Sequence, residues 1–445
     1  MKRMSLATRG KIPAVGYRRR WTGLAAALAL AAMAVGLPIS PAQASNSTIM
    51  IADVAPFTGV DAALGPIYLV SCYAATQAIN NAGGVLGHKL GCTSADTRGD
   101  PADAVPAVRK LIATTSNLDL VIGCTSDEAA TVVPILNANK TVSFCMTGQS
   151  EFDHVKFPYF FRLVPPDLEE AYAMVAIAKA KGYKTVALAF GNDIGSQAFV
   201  QPAISAIKKA GMKLVANETL QLSATTFQTE AQAIVSAKPQ VVLTEALGPA
   251  DASLLGEMKQ LNGGKFIPTI GTSATIGSAW FSTVSQAVGA KNIVQHFVAD
   301  NQSINAAGAA YKTYAKLILA QKGKVSSIGD YTTLLTAPGA VHLYDGMNLA
   351  ALAMVMAKST TGSKFKADIL KIADGVPGAK VVTSFAQGLA DLKKGEAVHY
   401  VGVGGPTSFD AYHTSVGSFQ IDAYNLNGSV KVVGNVTQQQ ITSLS

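Results

Sequence analysis

From residue 48 onward the sequence alternates strand-like and helix-like segments, and this alternation constrains the fold more than any other feature. Short apolar runs such as residues 118–123 (LDLVIG) are typical of strands that are covered on both faces. Between such runs lie segments with helical periodicity, for example residues 67–79. Repeated β-α units of this kind predict an α/β fold, with an open parallel sheet and helices on both of its sides.

The alternation starts again after Pro165 and Pro166, which interrupt the chain and are typical of a linker. This second series predicts a second lobe of the same kind, and it includes a strand at residues 292–298. Helices are predicted after residue 300, and the chain ends in two β-rich runs separated by Asn427 and Gly428. An Asn-Gly pair between such runs predicts a β-hairpin.

The first 44 residues predict an export signal. Seven basic residues precede position 21, an uncharged apolar run occupies residues 23–37, and Ala42-Gln43-Ala44 forms a small-x-small cleavage site. A single membrane anchor is the alternative, but a bilayer span needs about 20 apolar residues. Without the signal the chain has 29 basic and 28 acidic residues, a net charge of +1 instead of +8. We expect a protein exported to the periplasm or cell envelope, with no membrane-spanning segment in its mature chain and no nucleic-acid partner.

The four cysteines, Cys72, Cys92, Cys124 and Cys145, fall in one early part of the chain. An oxidising compartment permits disulfides, and four cysteines allow three pairings. Cys72 lies on the helical face expected to point at a sheet, Cys92 lies on the next predicted strand, and Cys124 and Cys145 each end a predicted strand. These positions favour the pairs 72–92 and 124–145, with four buried thiols as the alternative.

Motifs of catalysis and cofactor binding are absent from the sequence. There is no G-x-S-x-G and no P-loop, and the G-x-G at residues 402–404 has Thr407 at the last Gly position of a dinucleotide fingerprint. The six histidines are scattered without metal-binding spacing. Asp127 and Glu128 are more typical of a helix N-terminus than of a catalytic acid pair. We therefore expect no enzymatic activity, no cofactor and no bound metal.

Seven stretches of the sequence form a recognisable series. They are IADVAPFTG at 51–59, AINNAGGVLG at 78–87, DTRGDPADAV at 96–105, RL at 162–163, FGNDIG at 190–195, YDG at 344–346 and GPTSFD at 405–410. In this order and spacing they resemble the substrate-binding proteins of ABC transporters, of the leucine/isoleucine/valine-binding type of periplasmic binding protein. The resemblance covers nearly all of residues 48–433.

The resemblance implies two lobes of doubly wound parallel sheet, joined by a hinge with three chain crossings, and a small-molecule ligand bound between them. It places lobe 1 at residues 45–165 plus 300–415 and lobe 2 at residues 166–299 plus 416–445. In this family the ligand-bound form is read by the permease of an ABC transporter, so a permease is the expected protein partner. The chain itself is expected to be a monomer.

The resemblance also implies which residues contact the ligand on lobe 1. In the family, the loop after the third strand offers a Ser hydroxyl to the ligand carboxylate, and Ser126 matches this position. The loop after the fourth strand supplies further donors, and here Thr147 and Gln149 match, with Gln149 where a Thr is usual. Hydroxyl and N–H groups at a helix N-terminus suit an anion.

The remaining positions depart from the family pattern. Leu64 stands where an aromatic residue commonly covers the site, Ile194 where a Tyr is common, and Leu247 where another aromatic residue can stand. The acid that usually holds a ligand ammonium group aligns with Ser273, and Glu245 at a nearby strand end is a substitute. Because a buried charge without a partner is costly, the expected ligands include amides and small organic acids as well as amino acids.

Three functions are compatible with these features. The first is an exported solute-binding component of an ABC importer. The second is a ligand sensor that uses the same two-lobed fold without transport, and the third is an exported hydrolase. Turnover of the bound molecule distinguishes the third function from the other two.

Overall fold

The computed structural model describes residues 47–59 and 61–445. The export signal predicted at residues 1–44 lies outside this part of the chain. No helix within the described residues is both long enough and apolar enough to cross a membrane.

The first β-α series forms one parallel sheet. Its elements are β1 (Ile49–Ala55), α1 (Leu64–Asn81), β2 (Leu90–Asp96), α2 (Pro101–Thr114), β3 (Leu118–Thr125), α3 (Ser126–Ala138), β4 (Val142–Met146) and β5 (Phe160–Arg162). The strand order is β2-β1-β3-β4-β5. Successive residues of β1 point to opposite faces, so Ile51 packs on the α1 side and Ala52 on the side of α2 and α3. Helices therefore cover both faces, as the apolar strands predict.

The second series forms the second sheet. Its elements are α4 (Asp167–Ala180), β6 (Thr185–Gly191), α5 (Ile194–Ala198), α6 (Val200–Lys209), β7 (Lys213–Leu220), α7 (Gln228–Ala237), β8 (Val241–Glu245), α8 (Gly248–Leu261), β9 (Thr269–Gly271), α9 (Ser278–Val288), α10 (Ala290–His296) and β10 (Phe297–Gln302). The five strands are parallel in the order β10-β9-β8-β6-β7.

The prediction of a strand at residues 292–298 is wrong for most of these residues. Residues 290–296 form α10, and only from Phe297 does the chain join the sheet. The β-branched pair Ile293 and Val294 favours a strand by propensity, but both side chains pack into the apolar layer on the α8 and α9 side of the sheet. Packing of this kind overrides the weak local preference.

The chain then returns to the first sheet and ends on the second. The returning part contains α11 (Ala309–Leu319), α12 (Pro338–Met356), α13 (Gly362–Asp374), β11 (Lys380–Val382), α14 (Phe385–Leu392), β12 (Val398–Gly402), β13 (Gly405–Pro406), β14 (Ser408–Phe409) and β15 (Ser415–Val416). The final part contains β16 (Phe419–Tyr424), β17 (Val430–Val436) and α15 (Gln438–Thr442). The chain thus crosses between the lobes three times, after β5, after β10 and before β16.

The last two strands form the predicted hairpin. Strand β16 pairs antiparallel with both β10 and β17, which places the hairpin at one edge of the second sheet. Gly428 in the turn has φ +80°, a conformation that favours glycine.

Two disulfides connect elements of the first sheet, and both predicted pairings are confirmed. Cys72 on α1 is bonded to Cys92 on β2, with their Cα atoms 6.1 Å apart. Cys124 at the end of β3 is bonded to Cys145 on the neighbouring strand β4, with their Cα atoms 4.9 Å apart. The second bond therefore joins the ends of the two strands that lead into the loops at residues 126 and 147.

Removal of the second disulfide should destabilise lobe 1. Cys124 and Cys145 are separated by 21 positions, and closing a loop of this size stabilises a protein by about 2–4 kcal/mol. We expect Cys124→Ala together with Cys145→Ala to lower the free energy of unfolding in guanidinium by about that amount. The matched comparison is Cys72→Ala with Cys92→Ala, which removes a disulfide of similar sequence separation, 20 positions, and should destabilise the protein by a similar amount. Mass mapping of unreduced protein that finds four free thiols would contradict the prediction.

Candidate ligand-binding cleft

The carboxyl ends of strands from the two sheets meet where the chain crosses between the lobes. The Oδ1 atom of Asp127, on α3, accepts a hydrogen bond from the N–H of Gly195, on α5, at 3.2 Å. Gly148, which follows β4, lies so close to Asp167 of α4 that a Cβ atom there would overlap the carboxylate. In open α/β sheets, ligands bind beyond the carboxyl ends of the strands. These contacts therefore locate the candidate cleft.

On lobe 1, the structure brings together two of the predicted ligand contacts. The Oγ atom of Ser126 donates to Oγ1 of Thr147 at 3.3 Å. Ser126 is half-buried, whereas Thr147 has no exposed surface and Gln149 is almost completely buried. Of these three residues, Ser126 is the one with a hydroxyl group at the surface of the cleft.

The acid pair after β3 lies at a helix N-terminus, as predicted. Asp127 and Glu128 are in the first turn of α3. The carboxylate of Glu128 accepts hydrogen bonds from the N–H of Thr125 at 2.9 Å and from its hydroxyl at 2.6 Å. Burial raises the pKa of Glu128 to about 7, although these hydrogen bonds oppose the rise. Glu128 thus caps the start of α3 by binding both donors of Thr125.

A pair of carboxyl groups spans the entrance on the lobe 1 side. Asp61, in the loop before α1, is hydrogen-bonded to Asp127. Burial raises the pKa of Asp61 to about 8, and the hydrogen bond to Asp127 and the negative charges of Asp127, Asp193 and Glu128 add to the rise. Burial also raises the pKa of Asp127. The two carboxyls thus share a proton near neutral pH, with Asp61 as the protonated partner.

On lobe 2, acidic side chains occupy the ends of the strands. Glu245 ends β8 and accepts hydrogen bonds from the hydroxyls of Thr272 and of Ser196, the latter at 3.4 Å. Glu170, in the first turn of α4, accepts a hydrogen bond from the N–H of Ser273 at 2.8 Å. The family pattern places an acid at the position of Ser273, and here the acid beside that position comes from a different element.

The three predicted apolar contacts differ in exposure. Leu64 is the first residue of α1 and packs partly against the lobe 1 core. Ile194, the first residue of α5, is 50% exposed and lies next to Gly195, which contacts Asp127. Leu247 is half-buried at the start of α8. Ile194 is therefore the predicted apolar residue that lies nearest the contact between the lobes.

Sequence reasoning missed Asp61 and Glu170 as members of this cleft. Asp61 lies in a loop without a recognisable motif, and Glu170 lies in a helical segment where an acid in the first turn is ordinary. Both residues lie several positions beyond the end of a strand and match no site position of the family pattern, from which most of the other candidates were predicted.

The structure has two doubly wound lobes joined by three crossings, and the polar ends of their strands face each other. This arrangement is that of a two-lobed binding protein. The sequence profile of the periplasmic binding protein family matches residues 48–421. The chain therefore belongs to the periplasmic binding protein family.

The individual proteins to which this chain is similar either match only part of it or have low sequence identity to it. The Leu/Ile/Val-binding protein homolog 3 of Brucella melitensis is 32% identical over 111 residues, which make up 25% of this chain and 30% of that protein. The match thus spans less than a third of that relative's length.

Two solved structures share the fold. The substrate-binding protein LivJ of Streptococcus pneumoniae, in complex with isoleucine, has a TM-score of 0.68 and 20% identity over 88% of this chain and 99% of its own. A solute-binding protein of R. palustris, in complex with benzoate, has a TM-score of 0.67 and 16% identity over 87% of this chain and 96% of its own.

Replacing Asp61 by Asn should change the pH dependence of stability. The folded-state pKa of Asp61, about 8, is above its unfolded value of about 4. The stability that this group contributes is therefore fully present below pH 4 and is lost as the pH rises through 8. Asn keeps an N–H donor for Asp127 without needing a proton. We expect similar melting temperatures for Asp61→Asn and wild type near pH 4.5, and a higher melting temperature for the variant at pH 8.5.

Acids other than Asp127, which interacts with Asp61, act equally in both proteins, so the difference between the two curves reports on the Asp61–Asp127 pair. Asp103→Asn, an exposed acid on α2 paired with Arg98, is the control. Parallel curves for Asp61→Asn and wild type would show that Asp61 does not hold a proton in the folded state.

Proposed function

We propose that this protein is an exported solute-binding protein that captures a small polar molecule between its two lobes and delivers it to the permease of an ABC importer. The candidate solutes are an amino acid, an amide or a small organic acid. The observation that carries the proposal is the direct contact between Asp127 on lobe 1 and Gly195 on lobe 2, at the carboxyl ends of both sheets. This is where a ligand in such a fold would be enclosed.

Binding by hinge closure explains how a protein of this shape signals that it is loaded. A solute that contacts both lobes stabilises the closed form and shifts the population toward it. Closure also excludes water from the solute, which strengthens its polar contacts. The related structures bound to isoleucine and to benzoate support solutes of this size. Release of the solute unchanged is expected, since the function requires no reaction.

A screen of small solutes by thermal shift tests the binding function. A ligand at 100 times its Kd stabilises the native state by about 2.7 kcal/mol, so a true solute raises the melting temperature. Small-angle scattering should then show a smaller radius of gyration with the solute than without it. The solute recovered after long incubation should be chemically unchanged, and conversion to a product would favour a hydrolase.

Ser126→Ala tests the predicted lobe 1 contact. Loss of one neutral hydrogen bond to the solute should weaken binding by about three- to tenfold, as measured by calorimetry. Ser282→Ala, on the exposed side of α9, is the matched control and should bind as wild type does. Equal affinity in both variants would place the solute away from Ser126.

Delivery to an importer is tested in cells. Uptake of the labelled solute should require both this chain and the permease of an ABC importer. Binding without any effect on uptake would favour a sensor.

A further inference from the structure

Carboxyl groups form a row along the lobe 2 side of the candidate cleft. The register of β8, β9 and β10 aligns Glu245, Thr272 and Asp300 at the same level, with their side chains on the same face of the sheet. Neighbouring strands are about 4.8 Å apart, so Thr272 lies between the two acids. Glu170 of α4 lies against this row, because it accepts the N–H of Ser273 at 2.8 Å. Three acids from three elements therefore converge at one end of the sheet.

The charges in this row act on one another. Burial raises the pKa of Glu245 well above its usual value, and the negative charges of Glu170, Asp193 and Asp167 add to the rise. Burial likewise raises the pKa of Asp300, and the charges of Glu170 and Glu245 add to it. These groups are therefore close enough to repel each other when they are ionised.

Several carboxylate oxygens in this region lack a hydrogen-bond partner. Both oxygens of Asp300 and Oδ2 of Asp167 are buried and unpartnered, and neither residue exposes more than 7% of its surface. A buried carboxylate without a partner is costly. Since oxygens of this kind accept hydrogen bonds, the partner they lack is a donor.

The nearest basic side chain already has its own partners. Arg162 is fully buried, and its guanidinium binds Asp153, the carbonyl of Gln149 and the hydroxyl of Thr414. Its charge lowers the pKa of Asp167, but burial and the charge of Glu170 raise that pKa by more. In the part of the chain that the structure describes, the ion pairs involve other acids and leave this row unpaired.

Two backbone donors at the cleft are already occupied by carboxylates of the protein. The N–H of Gly195 is bound by Asp127, and the N–H of Ser273 is bound by Glu170. An anionic solute would thus compete with protein carboxylates for these donors and would also be repelled by them. A cationic solute meets neither obstacle.

The acids are also arranged for an organic cation rather than for a metal ion. Within the described residues, no group of three or more acidic, Cys or His side chains lies close enough together to hold a metal ion. An ammonium or guanidinium group carries several N–H donors on a larger frame and can bind separate carboxylates at once.

We propose that the solute of this cleft is a small organic cation, an amine or guanidine, whose N–H groups bind Glu245, Glu170 and Asp300. The inference rests on the function proposed above and narrows its solute class. It also separates this protein from relatives whose described ligands, isoleucine and benzoate, carry a carboxylate.

Binding of a cation should release protons. Burial in the empty cleft raises the pKa of Glu245 and of Asp300, so each carboxyl keeps its proton to a higher pH than an exposed carboxyl does. A bound cation favours their ionised form and lowers their pKa. The affinity should therefore rise as the pH rises from 5 to 8, as long as the amine stays protonated.

The experiment uses the full mature chain and a matched set of probes at physiological ionic strength. Agmatine and putrescine are the cations, and L-leucine, benzoate and pentanamide are the comparison solutes. We expect at least one of the cations to raise the melting temperature and to bind in calorimetry, with proton release shown by the different heats in phosphate and Tris buffers. The three comparison solutes should bind at least about tenfold more weakly.

Variants without the charge locate the site. Glu245→Gln and Asp300→Asn keep the shape of the side chain, and each should weaken cation binding by about tenfold or more. Glu230→Gln, which removes a first-turn acid of α7 on the opposite face of the sheet, should bind as wild type does. Proton release is measured on the wild-type protein, so the proposal remains testable even if a variant fails to fold.

The outcomes separate this inference from the proposed function. If L-leucine, benzoate or pentanamide binds and the cations do not, the cation proposal is overturned and the solute-binding function stands. If no solute of any class binds, both are overturned. Cation binding that is unchanged in Glu245→Gln and Asp300→Asn, or that releases no protons, would also overturn the inference, because the cation would then bind elsewhere.

Discussion

The buried guanidinium of Arg162 holds the hinge together. It pairs with Asp153 at 2.6 Å and donates to the carbonyl of Gln149 at 3.0 Å and to the hydroxyl of Thr414 at 3.2 Å, while its backbone N–H donates to the carbonyl of His413 at 2.9 Å. The charge of Arg162 thus connects the first crossing with the segment before the third crossing and with the loop after β4. Loss of any partner would leave a buried cation incompletely paired, which is strongly destabilising. The cleft geometry on lobe 1 depends on this arrangement.

Closure brings like charges together. Asp127 closes the gap by accepting the N–H of Gly195 at the N-terminus of α5, yet the same step places it near Asp193 of lobe 2. Its neighbour on lobe 1, Asp61, is a further acid. One proton between Asp61 and Asp127 relieves part of this repulsion. The row around Glu245 has no such hydrogen-bonded pair, and part of its repulsion remains. The closed form of the empty protein is therefore electrostatically unfavourable, and a cation that enters the cleft removes that cost.

The fold was predictable from the sequence because strand and helix periods alternate cleanly, and the disulfides were predictable because each cysteine lies at an identifiable place in that alternation. The error at residues 292–298 arose where tertiary packing overrides β propensity. Ser126 and Thr147 were predicted from the family resemblance and Glu245 from its position at the end of a strand, and their contact with a solute stays a prediction. Glu170 and Asp300 were not found, because the register of the second sheet and the packing of α4 on it bring them beside Glu245, and a one-dimensional pattern contains no such neighbours.

The overall charge of this chain gives no indication of the charge of its cleft. After residue 44 the sequence is almost neutral, with 29 basic and 28 acidic residues, and several of its lysines form ion pairs on the outer surface. The acids at the strand ends have no such partners, so the negative charge is concentrated where the two sheets face each other. Buried like charges interact more strongly than exposed ones, because water and salt screen them less. Selection among small solutes of equal size is then determined by the sign of their charge.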